Sequence, residues 1–120
     1  MATYKSEGLK ISTYVNGTSP YLIQLDKYSA TIGTNAEGEG YTSDTLKSVS
    51  TINVNVSEGN TDITSNCSFS WVVYGGILNS YIGSSVYFTN LTDDTAYAIV
   101  TVKKGNDTLG TKQFTISKNK

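Results

Sequence analysis

Residues Cys67–Val73, Cys-Ser-Phe-Ser-Trp-Val-Val, constrain this chain more than any other stretch. Cys67, Phe69, Trp71 and Val73 alternate with Ser68, Ser70 and Val72, the period of two that turns one face of a β-strand inward. The stretch holds the only Trp and the only Cys of the 120 residues. A Trp in mid-strand is the usual anchor of a two-sheet core. Cys67, Phe69, Trp71 and Val73 are therefore expected in the core of an all-β sandwich of about seven to nine antiparallel strands.

The other segments repeat that pattern. Leu9, Ile11, Thr13 and Val15 alternate with polar partners and predict a first strand, ended by the turn dipeptide Asn16-Gly17. Pro20 precedes a second strand, Tyr21–Leu25, at a position where its missing N–H does no harm. Tyr28–Ile32 predicts a third strand, and Gly33–Asp44, without apolar periodicity, a surface loop. Leu46–Val56 reads as one strand, with Ile52, Val54 and Val56 on one face and Asn53 and Asn55 on the other. Beyond Trp71, strands are expected at Ser84–Thr89, Thr95–Lys103 and Thr108–Ser117. Asn90–Asp94 reads as a turn, and Gly105–Asp107 closes a hairpin that leaves Phe114 and Ile116 facing inward. No helical period and no internal repeat are evident. One compact domain is expected, with residues 1–27 as an arm and leading strands and 28–120 as the sandwich proper.

Composition excludes several functions. A formal net charge of −1 gives no electrostatic attraction to nucleic acid or to an anionic membrane. The absence of histidine removes Ser-His-Asp and Cys-His nucleophiles and every His-containing metal site. One Cys permits no internal disulfide. No apolar run approaches the roughly 20 residues of a membrane helix, and the N-terminus lacks a secretory core, so synthesis in a cytoplasm is expected.

No constellation suggests chemistry. Asp26, Asp44, Asp62, Asp93 and Asp94 could offer oxygens to Ca²⁺, but turn chemistry accounts for them. Glu37 and Glu39 sit in a glycine-rich loop too open to tune an acid–base pair. Five Asn-x-Ser/Thr sequons carry little weight in so Asn- and Thr-rich a chain. Neither enzyme activity, cofactor nor metal is expected. Of the nine Tyr, Tyr28, Tyr87 and Tyr97 are expected to be structural, leaving Tyr4, Tyr14, Tyr74 and Tyr81 as contact candidates. Ile77, Leu78, Tyr81 and Ile82, near the Gly75-Gly76 bend, fill the core as a further strand or, if exposed, form an apolar contact patch.

Asp93-Asp-Thr-Ala-Tyr97-Ala-Ile99 resembles the Asp-x-Ala-x-Tyr-x-Cys corner of immunoglobulin domains, with Thr95 in the small position and Ile99 in place of the second Cys. That resemblance implies a core role for Tyr97 and Ile99, the Tyr hydroxyl closing the turn by bonding upstream backbone. Cys67 lies four residues before Trp71 and has no partner, so the disulfide-free bacterial and phage versions are nearer than the antibody type. The order Ile52–Val56, Gly59-Asn-Thr-Asp-Ile63-Thr, Cys67–Trp71, Gly105-Asn-Asp-Thr-Leu109 and Phe114-Thr-Ile-Ser-Lys118 is similar to immunoglobulin-like modules of tailed-phage virion proteins, over about Tyr28 to Lys118. It implies a virion component docking on capsid or tail proteins, with host-surface glycans as further partners. The rival expectation is a carbohydrate- or surface-binding adhesion module of a bacterial surface protein. Docking is expected through Met1–Val15, anchored by Tyr4 and Tyr14, and through the Tyr74–Ile82 bend, with Gly33–Asp44 facing solvent.

Overall fold

Two four-stranded sheets close over the apolar faces that the alternation defines. The computed structural model describes residues 20–120. The leading strand expected over Leu9–Val15, its Asn16-Gly17 turn, and Tyr4 and Tyr14 lie outside the described residues. In chain order the elements are β1 (Tyr21–Leu25), β2 (Ser29–Gly33), α1 (Ser43–Ser50), β3 (Ile52–Glu58), β4 (Thr61–Asp62), β5 (Ser68–Tyr74), β6 (Gly76–Leu78), β7 (Ser85–Val86), β8 (Phe88–Leu91), β9 (Thr95–Lys104) and β10 (Asp107–Asn119). One sheet runs β1-β3-β4 with β7 also paired to β3, the second runs β2-β10-β9-β5, and β6 pairs with β8. All ladders are antiparallel except β2 with β10, which is parallel.

The core follows the pattern of period two. Ile52, Val54 and Val56 of β3 are buried between exposed Asn53 and Asn55. They meet Ile23 and Leu25 of β1, and Phe69, Trp71, Val100, Val102, Phe114 and Ile116 of the opposite sheet, in one cluster. Trp71 keeps 4% of its surface, and its indole Nε1–H donates to the Gly83 carbonyl at 2.8 Å. The one polar atom of the anchor is thereby satisfied. The two sheets touch closely where a Cβ on Gly110 would stand 3.1 Å from Ile23 Cδ1. β1 belongs to this core, and its pairing with β3 spans Tyr21↔Glu58 to Leu25↔Val54.

Several expectations need correction. The single strand over Leu46–Val56 is a helix, α1, followed by β3. Thr42 caps the helix, its Oγ1 accepting the Thr45 N–H at 3.1 Å, and Asp44 in the first turn complements the dipole. Leu46 and Ser50, four residues apart, are its two buried side chains. Two turns carry too few apolar positions to register as a helical period. Gly33–Asp44 is correspondingly shorter as a loop, since Gly33 ends β2 and Ser43 and Asp44 begin α1. Ser84–Thr89 is broken at Tyr87: β7 joins β3, whereas β8 joins β6 and extends through Asn90 and Leu91, which were expected in a turn. Cys67 precedes β5, its N–H donating to the Thr64 carbonyl; it and Val73 are half-buried and pack against the core cluster, as the alternation prescribes.

The largest correction concerns Tyr97 and Ile99. In β9 the buried residues are Ala96, Ala98, Val100 and Val102, so Tyr97 and Ile99 take the opposite face. Tyr97 is 40% exposed, and its hydroxyl makes no hydrogen bond among the described residues, so no tyrosine corner forms there. A strand slipped by one residue exchanges its faces, and the wholly apolar face of Ala96, Ala98, Val100 and Val102 goes inward in place of the one holding Thr95, Thr101 and Lys103.

Candidate functional site

Of the two roles open to residues 77–82, Ile77, Tyr81 and Ile82 take the exposed one, whereas the contact role expected of Leu78 fails, because it is buried in the core. β5 ends at Tyr74, and Gly75 then turns the chain at φ +80°, a left-handed conformation natural to glycine. A Cβ on Gly75 would stand 2.6 Å from the Thr95 carbonyl, and one on Gly76 would lie 2.7 Å from the Phe88 ring. The Gly75 carbonyl also accepts the N–H groups of Thr92 and Asp93. This pair of glycines lets the chain double back onto β8, where Leu78 buries to 3% exposure.

Residues 79–83 then return along β5. The Trp71 N–H donates to the Tyr81 carbonyl at 2.9 Å, and the Tyr81 hydroxyl accepts the Leu78 N–H at 3.3 Å. β5 is the outermost strand of its sheet, and this segment covers its edge at mid-length. The segment leaves apolar side chains in solvent: Ile82 is 79% exposed, with Ile77 and Tyr81 also exposed.

The outer face of the same sheet carries exposed apolar side chains of its own. Cross-strand rows place Tyr74 opposite Tyr97 and Val72 opposite Ile99. Gln113 and Thr115 of β10 extend these rows, and Ser29 of β2 follows Thr115. Tyr74 is 58% exposed and Val72 nearly as much. Ser70, Thr101 and Thr111 form the next row, and Lys103 stands beyond it opposite Ser68. Lys103 is the one charged residue at a register position on this face among the described residues. Val72, Tyr74, Ile77, Tyr81, Ile82 and Tyr97 are six of the eight exposed large hydrophobics among the described residues, Leu22 and Tyr28 being the others. Tyr74, Ile77, Leu78, Tyr81 and Ile82 are sequence candidates for contact, and all but Leu78 are exposed; Val72 and Tyr97 are exposed without having been candidates. The sequence signal was the residues' position around β5, legible only with the strand phase of β9 known.

The candidate carboxylates are dispersed and internally paired. Asp26 accepts from the Asn53 N–H and side-chain amide at 2.9 and 2.7 Å. Partial burial works to raise its pKa, but those hydrogen bonds and nearby Lys27 together hold it below the ordinary 3.8. Asp62 is held low by hydrogen bonds from the Thr64 N–H and hydroxyl, and Asp94 by the Lys120 ammonium at 2.8 Å. Among the described residues no group of three Cys, Asp or Glu stands ready for a metal ion. Glu37 and Glu39 share Asn35: its Oδ1 accepts both of their N–H groups and fixes the loop. Burial raises the Cys67 thiol above its ordinary pKa, a change that suppresses thiolate chemistry. A cleft of about 290 Å³ beside α1 is lined by Ser43, Asp44, Lys47, Tyr87, Phe88 and Thr89. Lys47 Nζ lies 4.9 Å from the Tyr87 ring centre there. No helix among the described residues is long and apolar enough to cross a membrane.

Compared with known proteins, the chain matches no family model, no curated protein and no solved structure.

Proposed function

We propose that this protein is a non-enzymatic docking module, an immunoglobulin-like accessory component of a tailed-phage particle that attaches to other virion proteins. The observation that carries the docking is the outward row of Val72, Tyr74 and Tyr97 with half-buried Ile99 on β5 and β9, followed in the chain by exposed Ile77, Tyr81 and Ile82. Scattered exposed apolar residues are ordinary, whereas a contiguous aromatic and aliphatic surface depleted of charge has the composition of an interface centre. The immunoglobulin-like part is supported by strand order. β1, β3 and β7 correspond to strands A, B and E of such a sandwich, β5, β9 and β10 to C, F and G, and the buried Trp71 sits on strand C. The outward Tyr97 departs from that pattern. The phage assignment rests on the resemblance of the turn and strand motifs from Ile52 to Lys118. The segment Met1–Val15 remains part of the proposal as a second tether, in addition to the β5 surface.

The test is binding of the purified full chain to particles that lack it, scored by co-sedimentation. Wild type should decorate, and Tyr74→Glu with Val72→Glu should abolish decoration while leaving the circular dichroism spectrum intact. Decoration by that double variant at wild-type level refutes the β5 surface as the docking site. Failure of the wild type to bind any particle refutes the virion role.

A further inference from the structure

We infer that the cleft beside α1 is a binding site for one neutral sugar ring, a single pyranose unit. None of its residues belongs to the docking surface, and its ligand is a second partner beyond the docking reading.

The walls of the cleft are fixed before any ligand arrives. α1 forms one wall and residues 87–89 the other, and the buried Ser50 hydroxyl ties the two by accepting the Phe88 N–H at 2.9 Å. Tyr87 stands at the break between β7 and β8, between Val86 and Phe88, both fully buried. Asn79 holds the Tyr87 backbone through both of its polar groups. The Asn79 N–H donates to the Tyr87 carbonyl at 3.0 Å, and the Asn79 side-chain oxygen accepts the Tyr87 N–H at 2.8 Å. A ligand entering such a preformed frame loses less binding free energy to ordering the protein.

The groups that line the cleft select the ligand. Asp44 and Lys47, three residues apart on α1, share one side of the helix and bring one carboxylate and one ammonium. Among the described residues neither forms an ion pair, and the Lys47 ammonium rests 4.9 Å from the Tyr87 ring centre. Opposite charges side by side favour neither an anion nor a cation. They suit a neutral ligand whose groups both donate and accept, and a hydroxyl does both. The Thr89 hydroxyl donates to the Ile77 carbonyl and so offers its lone pairs to a ligand, while Ser43 adds a second hydroxyl. The Tyr87 ring supplies a flat apolar face for the C–H side of a sugar ring, once the Lys47 ammonium swings from the ring to a sugar hydroxyl. A volume of about 290 Å³ lies at the lower end of the range for small-molecule sites, so the cleft holds one ring.

Titration of the full ¹⁵N-labelled chain with the methyl glycosides of glucose, galactose, mannose and N-acetylglucosamine, followed by amide shifts, tests this. At least one glycoside should move the amides of Ser43–Lys47 and Tyr87–Thr89 saturably, with a Kd of about 1–10 mM, as for a small polar ligand in an open cleft. Tyr87→Ala, which keeps the backbone bonds to Asn79, and Asp44→Asn should each weaken binding by about fivefold or more, through loss of the stacking face or of the charged acceptor. Tyr74→Ala, on the docking surface, should leave the titration unmoved, so that sugar binding and particle binding are read separately. The inference is overturned if no glycoside gives a saturable shift, if the shifts map away from the cleft, or if binding is indifferent to both Tyr87→Ala and Asp44→Asn. Larger shifts of the same amides from inorganic phosphate or acetate at equal concentration also overturn it, because the cleft would then select charge.

Discussion

Among the described residues Ser50 is the one buried polar residue in the core, and it ties α1 to the sheets. Its hydroxyl donates to the Leu46 carbonyl at 2.6 Å and accepts the Phe88 N–H at 2.9 Å. Ser50→Ala removes both bonds while changing the volume by one oxygen atom. The Leu46 carbonyl retains the helix ladder, so its loss is small. The Phe88 N–H is left buried and unpaired beside a ring that is itself completely buried. Stranding such a donor costs about 1–3 kcal/mol, and the vacated space is too small for a water to replace the hydroxyl. A destabilisation of about 2 kcal/mol is therefore expected, a fall in Tm of roughly 8 °C for a domain of this size. Urea denaturation followed by Trp71 fluorescence gives the free energy, and Ser48→Ala, exposed on the same helix, is the control expected within about 0.5 kcal/mol of wild type. A Ser50→Ala midpoint indistinguishable from the control would refute the claim that this hydroxyl couples α1 to β8.

Trp71→Ala should destabilise by roughly 3–5 kcal/mol in the same assay, because it empties the largest aromatic site in the core and orphans the Gly83 carbonyl. Gly75→Ala should cost about 2 kcal/mol or more, since it adds a Cβ in a left-handed conformation against the Thr95 carbonyl; an unchanged midpoint would mean the bend is placed wrongly. The folded-state pKa values of Asp26, Asp62 and Asp94 are lowered, so their stabilisation is present above the unfolded carboxylate value of 3.8 and is lost as pH falls through the folded values. Thermal melts should therefore be flat from pH 7 to about pH 5 and fall below about pH 4, with Asp26→Asn showing a shallower acid limb; an equally steep limb would show that Asp26 contributes nothing. Dialysis against a chelator should leave the melt unchanged, and a calcium-dependent rise of several degrees would overturn the dispersed-carboxylate reading.

Alternation alone determined most of this architecture. Phe69 and Trp71 in β5, Ile52, Val54 and Val56 in β3, and Phe114 and Ile116 in β10 are buried on the faces that their period of two prescribes. Apart from Val72 in β5, the opposing positions in these strands are polar, so one phase buries the apolar set. The turns were legible for a similar local reason: Gly105 supplies the positive φ that closes the β9–β10 hairpin, and Gly59 does so between β3 and β4. In Thr95–Lys103 the wholly apolar phase is Ala96, Ala98, Val100 and Val102, and it was the resemblance to an immunoglobulin corner, not the alternation, that pointed Tyr97 and Ile99 inward. The packing of small Ala96 and Ala98 under the opposite sheet, with Val100 and Val102, decided which face went inward. That choice put Tyr97 and Ile99 beside Val72 and Tyr74, and so made the candidate surface. The helix α1 was likewise beyond local signals, because two turns gain little from propensity and are held by Leu46 in the core and by Ser50 on β8. Residues 76–82 show the same division. Gly75-Gly76 announced a bend, but only the close approach to Phe88 and the Thr95 carbonyl fixed its path, burying Leu78 and leaving Ile77, Tyr81 and Ile82 in solvent.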